Sequence, residues 1–318
     1  MAQYKKVISI DHGNRHIKTL NHVFPASYVE STHLPSIGGD VLEYKGAKFT
    51  LVDKRMPQKI DKTVDESNYI LTLFAIGREL MNDEDFIANT ALCECVEIVL
   101  LVGLPPLHCK EMGERFMNYF KRQGEQVAFE LNKFPYVIKI TDAYVYPQAY
   151  SAVMTVKEKV VETQFANLVD VGGYTVDLLL LNGIRADMSV CTSLYGGVNS
   201  LFQKINEQVR AKGAMNNIPD SIIEGILLDD SKVLSSCSQD RIDLVRSNAE
   251  QFARELILNI SQEGLDINEN QTVFVGGGSI MLREYIEKSR MITKPFFVDN
   301  VQANAVGYQL LYDNRKVA

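Results

Sequence analysis

Short apolar runs that end in turns alternate with helical patterns along most of this 318-residue chain. KKVISID reads as a buried strand, followed by a turn at Gly13-Asn14 and a return strand through RHIKTL. VLEYKGAKFTLV alternates on both sides of Lys45-Gly46, the pattern of a second hairpin. Ile70, Leu73, Phe74, Ile76 and Leu80 recur at helical spacing in ESNYILTLFAIGREL. CVEIVLLVGLPP is a continuous apolar strand closed by Gly103 and two prolines, suited to the middle of a covered sheet. KEMGERFMNYFKRQG predicts an amphipathic helix that stops at Gly124. PYVIKITDAYVYPQAYSAVMTV predicts a strand passing into a helix, with Pro147 in the first helical turn.

After residue 165 the order repeats. NLVDVGGYTVDLLLL predicts a hairpin and VNSLFQKINEQVRAKG a helix, and a long helical region runs from about Ser221 to Gln262. QTVFVGGGSIMLREYIEK reads as strand, triple-glycine turn and helix, and PFFVDNVQANAVGYQLLYDN as strand, loop and closing helix. Asp299, Asn300 and Asn304 are expected to cap that helix and turn the chain into it. Alternating strands and helices predict an α/β protein, and the length suits two domains of ordinary size. No low-complexity segment or long linker separates the halves.

Composition narrows the function classes. With 46% hydrophobic and 23% charged residues, the chain has the make-up of a soluble globular protein. No apolar run approaches ~20 residues, so no membrane span is expected. MAQYKKVISIDHG goes directly into a strand without a signal-peptide core, and a cytoplasmic location is expected. A formal charge of −7 argues against direct, general DNA binding and suits a basic partner. Five cysteines without framework spacing fit a reducing compartment. Cys93 with Cys95, and His108 beside Cys109, lack the second ligand pair a zinc site needs. His12 and His16 straddle the Gly-Asn turn with no glutamate between them, and they too predict no metal site.

The chemistry concentrates in glycine-bearing turns. Asp11 and Asp170 each follow a short aliphatic run, and the interval between them equals that between Gly13 and Gly172. An aspartate at a strand end can hold hydrated Mg²⁺ against phosphate oxygens, and glycines let backbone amides face an anion. Either turn alone is ordinary turn chemistry. The matched pair in opposite halves is the stronger signal. A third site, Gly276, Gly277 and Gly278 before Ser279, lies between strand and helix and can admit a base or a phosphate. It does not fit the dinucleotide fingerprint G-x-G-x-x-G, and no Walker A loop or G-x-S-x-G elbow occurs.

ISIDHGNRHIK, TDAYVYPQAYSA, NLVDVGGYTVDLLLL, TVFVGGGSIML and NVQANAVGYQLL occur in the order of the actin-like ATPase superfamily. They resemble its first phosphate loop, first connecting segment, second phosphate loop, adenosine loop and second connecting segment. VLLVGLPP, EYKGAKFTL and ANAVGYQLL look most like the ParM type of bacterial plasmid-segregating actin-like proteins. The resemblance implies an actin-like ATPase fold, with two ribonuclease-H-like α/β domains flanking a nucleotide cleft. It places a first domain at 1–150 with a small β-rich insertion at about 31–60, a second at 151–300, and a closing helix at 301–318 that returns to the first.

The same resemblance assigns roles. Asp11 and Asp170 would organise Mg²⁺, and Gln148 would orient the hydrolytic water alongside Asp170. Gly13, Asn14, Lys18, Gly172, Gly173 and Thr175 would meet the phosphates. Gly196, Gly197 and Asn199 would approach the sugar, Glu207 would contact the base or the ribose, and Gly276 to Ser279 would meet the adenosine. Glutamine is no strong base, so Gln148 would position water and basal turnover would be slow. The function implied is ATP hydrolysis, with GTP an alternative, coupled to filament assembly. Its partner would be a DNA-binding adaptor of ParR type bound to a plasmid. A small-molecule kinase or a non-polymerising ATPase of the same superfamily is the competing reading, and a kinase needs a catalytic group aimed at a substrate hydroxyl that the sequence does not offer.

Overall fold

The computed structural model describes residues 4–30, 39–53, 61–89, 94–161, 163–211, 213 and 216–317. The chain divides into two units, Met1–Thr155 with Gln302–Ala318, and Val156–Val301. The C-x-C and the ends of the expected insertion fall outside the described residues, through Cys93, 31–38 and 54–60.

The first unit holds one nine-stranded sheet. Its strands are β1 Tyr4–His12, β2 His16–Lys18, β3 Val23–Pro25, β4 Tyr28–Glu30, β5 Val41–Tyr44, β6 Ala47–Leu51, β7 Val96–Leu104, β8 Gln126–Leu131 and β9 Phe134–Pro147. They lie in the order β3-β2-β1-β7-β9-β8-β5-β6-β4. β7 is parallel to β1 on one side and to β9 on the other, so the apolar run VEIVLLVGL is central and buried almost throughout. Helix Ser67–Met81 turns its apolar face to the core, where Leu73, Phe74, Ala75, Ile76 and Leu80 are fully buried. Helix Ala303–Val317 returns to this unit and packs Tyr308 against Tyr146, Val99 and Leu101.

The second unit repeats the inner half of that arrangement. β10 Phe165–Val171, β11 Thr175–Asn182, β12 Arg185–Tyr195, β13 Gln271–Val275 and β14 Pro295–Phe297 are ordered β12-β11-β10-β13-β14. In both units three antiparallel strands continue into two parallel ones by the same path. Helices Val198–Ala211, Gln239–Gln262 and Gly277–Ser289 bury Phe202, Ile205, Val245, Ile257 and Leu282 against this sheet.

Four sequence expectations change. Pro147 ends β9, paired with Leu104, and does not begin a helix; the chain after it is α-helical over Tyr150–Val153 and again over Lys157–Val161. The helix Pro106–Lys121 stops before Gly124, because Arg122 takes the left-handed conformation at φ 43°. Its guanidinium, 3.6 Å from the Tyr69 ring centroid and bonded to Glu66 at 2.9 Å, holds a residue other than glycine there. The helical region from Ser221 to Gln262 is broken into Asp220–Leu227, Ser231–Ser236 and Gln239–Gln262. Asp229 at φ 54° stops the first piece, and the Asp230 carboxylate caps the second by accepting from the Lys232 and Val233 amides. Of the three glycines at 276–278, only Gly276 forms the turn, at φ 87°; the other two begin the helix.

Candidate functional site

Each unit presents one hairpin built on the same local plan. In the first, Asp11 pairs with Lys18 across β1 and β2. In the second, Asp170 pairs with Asp177 across β10 and β11, at the same separation along the chain. The glycine two residues after each aspartate lies against the carbonyl that opens the return strand. A Cβ on Gly13 would stand 2.6 Å from the His16 oxygen, and one on Gly172 would stand 3.0 Å from that of Thr175.

The first unit gathers Asp11, Gly13, Asn14, Lys18 and Gln148. Asp11 is buried at 2% exposure at the end of β1. Gln148 Nε2 donates to its Oδ1 at 2.8 Å, and Lys18 Nζ lies 3.6 Å from its Oδ2. One carboxylate oxygen thus meets an amide and the other a cation, which offsets the cost of burying the charge. Asn14 occupies the turn itself. Burial, and after it the nearby Arg15 and Lys18 charges, lowers His16 from 6.5 to about 4. Arg15 and Lys18 place two cations near this turn, as an anion site requires.

Three further residues support this hairpin and are not evident from the sequence. Lys62 Nζ donates to the His12 carbonyl at 2.6 Å. Glu79, 5% exposed on helix Ser67–Met81, accepts from the Thr19 hydroxyl and from Asn21 Nδ2 at 2.8 Å, and so holds the loop after Lys18. A buried acid within AIGREL is the signal that could have found it. His12 stacks on Phe120 at 5.2 Å, and its Nε2 lies 2.8 Å from the Thr72 hydroxyl. That hydroxyl already donates to the Asn68 carbonyl, so it accepts from His12 and fixes the Nε2–H tautomer. Burial, then Lys62, lowers His12 to about 3 and keeps it neutral.

The second unit gathers Asp170, Gly172, Gly173, Thr175, Gly197, Asn199, Gly276 and Gly278. The start of helix Val198–Ala211 is docked on the hairpin turn: Val198 N–H donates to the Gly172 carbonyl at 3.1 Å and Asn199 N–H to that of Gly173 at 2.9 Å. Gly197 is required there, because a Cβ would stand 2.3 Å from the Gly172 oxygen. Its amide donates to the Tyr174 carbonyl at 3.0 Å, so its part is backbone packing. Gly276 and Gly278 are close approaches as well; their Cβ atoms would meet Asp170 Oδ1 at 2.3 Å and the Val171 oxygen at 2.6 Å. Gly277 has open space around it. Ser279 is buried, its hydroxyl turned back onto the Val275 carbonyl, and Glu207 is exposed more than two turns beyond Asn199. Neither is brought to the hairpin by these contacts.

Asp177 joins the site through strand pairing, which its sequence position does not reveal. Register places it directly opposite Asp170, and like charges facing across a ladder repel. Such a pair attracts a hard cation. Among the described residues no group of three or more His, Cys, Asp or Glu could hold a metal ion. A cation held beside these two carboxylates would complete its shell with water or ligand oxygens. The glycine cradles and the buried Asn199 Oδ1, which has no hydrogen-bond partner, fit an anionic ligand carrying donors.

Comparison with known proteins agrees with this architecture. Residues 168–288 match the family described as archaeal actin homologue MreB-like, C-terminal. Sequence comparison with curated proteins gives no match. The ADP complex of Ta0583, an archaeal actin homologue, is similar at TM-score 0.72 and 18% identity over 97% of this chain and 99% of that one. A ParM from a 15-stranded filament of Clostridium botulinum is similar at TM-score 0.73 and 18% identity, over 99% and 100%. The pSK41 ParM protein without ligand gives TM-score 0.70 and 14% identity, over 99% of both chains. The fold is that of the actin-like ATPase superfamily. Within that class the chain is built like the ParM proteins and the archaeal homologue.

Proposed function

We propose that this protein binds and hydrolyses ATP with Mg²⁺, assembles into filaments while ATP is bound, and moves plasmid DNA through a DNA-bound adaptor. The observation that carries the reading is the buried Asp11 carboxylate, bracketed by Gln148 on one oxygen and Lys18 on the other. Bound Mg²⁺ would neutralise phosphate charge and polarise the bond to be broken. Asp11 and Asp170 would hold its waters, with Asp177 adding negative charge beside Asp170. Lys18 and the amides of the Gly13-Asn14 turn would take phosphate oxygens, as would the Gly172-Gly173 turn and Thr175. Gln148, tethered to Asp11 through Nε2, keeps its Oε1 free to orient a water by accepting its proton in a hydrogen bond. The ADP complex of the archaeal homologue supports ATP as the nucleotide, with GTP the alternative.

Self-association is supported by the likeness to a chain solved in a ParM filament, and an acidic net charge of −7 suits a basic adaptor. Sedimentation with Mg²⁺ and ATP, run beside a phosphate-release assay, tests both parts. Pelleting with ATP but not ADP, together with slow phosphate release, is expected. Phosphate release without pelleting at any protein concentration would leave a non-polymerising ATPase, and no release would remove the enzymatic reading.

A further inference from the structure

The turn that carries Gln148 is held in a conformation that its own residues resist. Ala149 lies at φ 61° and ψ −62°, and Tyr150 N–H donates across it to the Gln148 carbonyl at 2.6 Å. This is the γ-turn of positive φ, rare and strained for any residue with a Cβ. Such a backbone persists only where its surroundings fix it several times over. Here Gln148 N–H donates to the Leu104 carbonyl at 2.8 Å, the Ser151 hydroxyl donates to the Pro147 carbonyl at 2.7 Å, and Ala149 N–H donates to Asn304 Oδ1 at 2.9 Å.

Asn304 belongs to the helix Ala303–Val317 and is buried at 9% exposure. It was expected to cap that helix, but its Oδ1 is turned away from the helix to the strained turn. Gln302 supplies the carbonyl for the first helical turn, accepting from Val306 N–H at 3.0 Å. The helix comes close enough for so short a side chain because of glycine one turn on. A Cβ on Gly307 would stand 1.8 Å from the Ser151 carbonyl oxygen. Tyr308, on the same face, seats its hydroxyl over Gly103, where a Cβ would stand only 1.9 Å away. Apolar burial of Ala303, Ala305 and Tyr308 docks the helix. None of that docking needs an acceptor at position 304.

We infer that Asn304 is a positioning residue for hydrolysis: its Oδ1 locks the γ-turn at Ala149 and thereby aims Gln148 at Asp11. The inference rests on the reading of Gln148 as the residue that orients water. It separates turnover from binding, because the clamp touches none of the phosphate-facing groups.

Asn304→Leu keeps the packing volume and removes the acceptor. It should lower kcat about 10- to 100-fold while leaving the Kd of a fluorescent ATP analogue within about threefold, since a misplaced water-orienting group acts on the transition state. Hydrogen exchange at the Ala149 amide should become fast in the same variant. Glycine accepts positive φ at little cost, so Ala149→Gly added to Asn304→Leu should recover about tenfold in kcat, which a general packing defect would not. Wild-type kcat in Asn304→Leu, or no recovery in the double variant, would overturn the inference. If the unaltered protein releases no phosphate, the proposed function fails, yet exchange at Ala149 in Asn304→Leu still decides whether the clamp exists. Should that variant not fold, the unaltered protein decides: an Ala149 amide exchanging like exposed backbone overturns the clamp, and a protected one upholds it.

Discussion

Gln148 Nε2 and Asp11 Oδ1 lie 2.8 Å apart although 137 positions separate them in the chain. The contact joins the end of β9 to the end of β1, two strands that flank β7 in the sheet. It leaves the glutamine amide with its nitrogen engaged and its oxygen available. Gln148→Ala is accordingly expected to slow phosphate release by roughly 10- to 10³-fold with little change in nucleotide affinity. Filaments of that variant should persist longer after ATP is added. Unaltered release would return Gln148 to a structural role at the strand end.

Asp170→Ala should abolish turnover without weakening the fold. Its facing partner is Asp177, and removing one of two opposed carboxylates relieves repulsion in the ladder. Stability in the absence of nucleotide is expected to be unchanged or higher by up to about 1 kcal/mol. Thermal melts and turnover assays on the one variant check both halves of the statement. Strong destabilisation with near-normal turnover would make this hairpin structural only.

Gly276→Ala is the complementary experiment. The position lies at φ 87°, and an added Cβ would stand 2.3 Å from Asp170 Oδ1. Either backbone or carboxylate must move, so a loss of about 1–3 kcal/mol in stability is expected, with turnover lost as well. Gly277→Ala, where no protein atom lies within 4 Å of the added Cβ, should leave stability close to unchanged and serves as the control for the fold.

His12 sets an acid limit on the first unit. Its folded pKa of about 3 lies below the ordinary 6.5, so the unfolded chain binds the proton more readily. Its contribution to stability is complete above pH 6.5 and is lost progressively as pH falls toward 3. His12→Phe keeps the stack on Phe120 and removes the titration. Urea unfolding at pH 7 and pH 4.5 should show a smaller difference in that variant, and an equal difference would mean His12 is not held neutral. His16, lowered to about 4, leaves part of the slope in place.

What the sequence revealed followed local signals. Continuous apolar runs marked β1, β7 and β13, and Lys45-Gly46 marked the β5–β6 hairpin, where both residues have positive φ. The missed features depend on distant partners. Asn132 and Lys133 turn β8 into β9 with φ of 54° and 70°, although lysine is no turn signal. Arg122 is left-handed because Tyr69 and Glu66 receive its guanidinium. In the site, the aspartate and glycine spacing was readable, since both belong to one hairpin. Asp177 has no such signal, because its position opposite Asp170 depends on register across a turn whose length the alternation does not reveal. The strain at Ala149 has no sequence signal, as alanine is an ordinary residue and its restraint comes from Asn304.

The first unit is discontinuous, and that fixes an order of events during synthesis. Residues 302–318 belong to it, yet the ribosome makes Val156–Val301 before them. Until then the Ala149 amide lacks the Asn304 oxygen, and the carbonyls of Thr19 and Leu20 lack the Gln302 side chain that bonds them at 2.8 and 3.0 Å. A nascent chain with its sheet already formed would still have a slack γ-turn beneath Gln148. The helix Ala303–Val317, made after the second unit, thus completes the first hairpin's surroundings, and a chain truncated before it would keep the aspartates but lose the brace behind the glutamine.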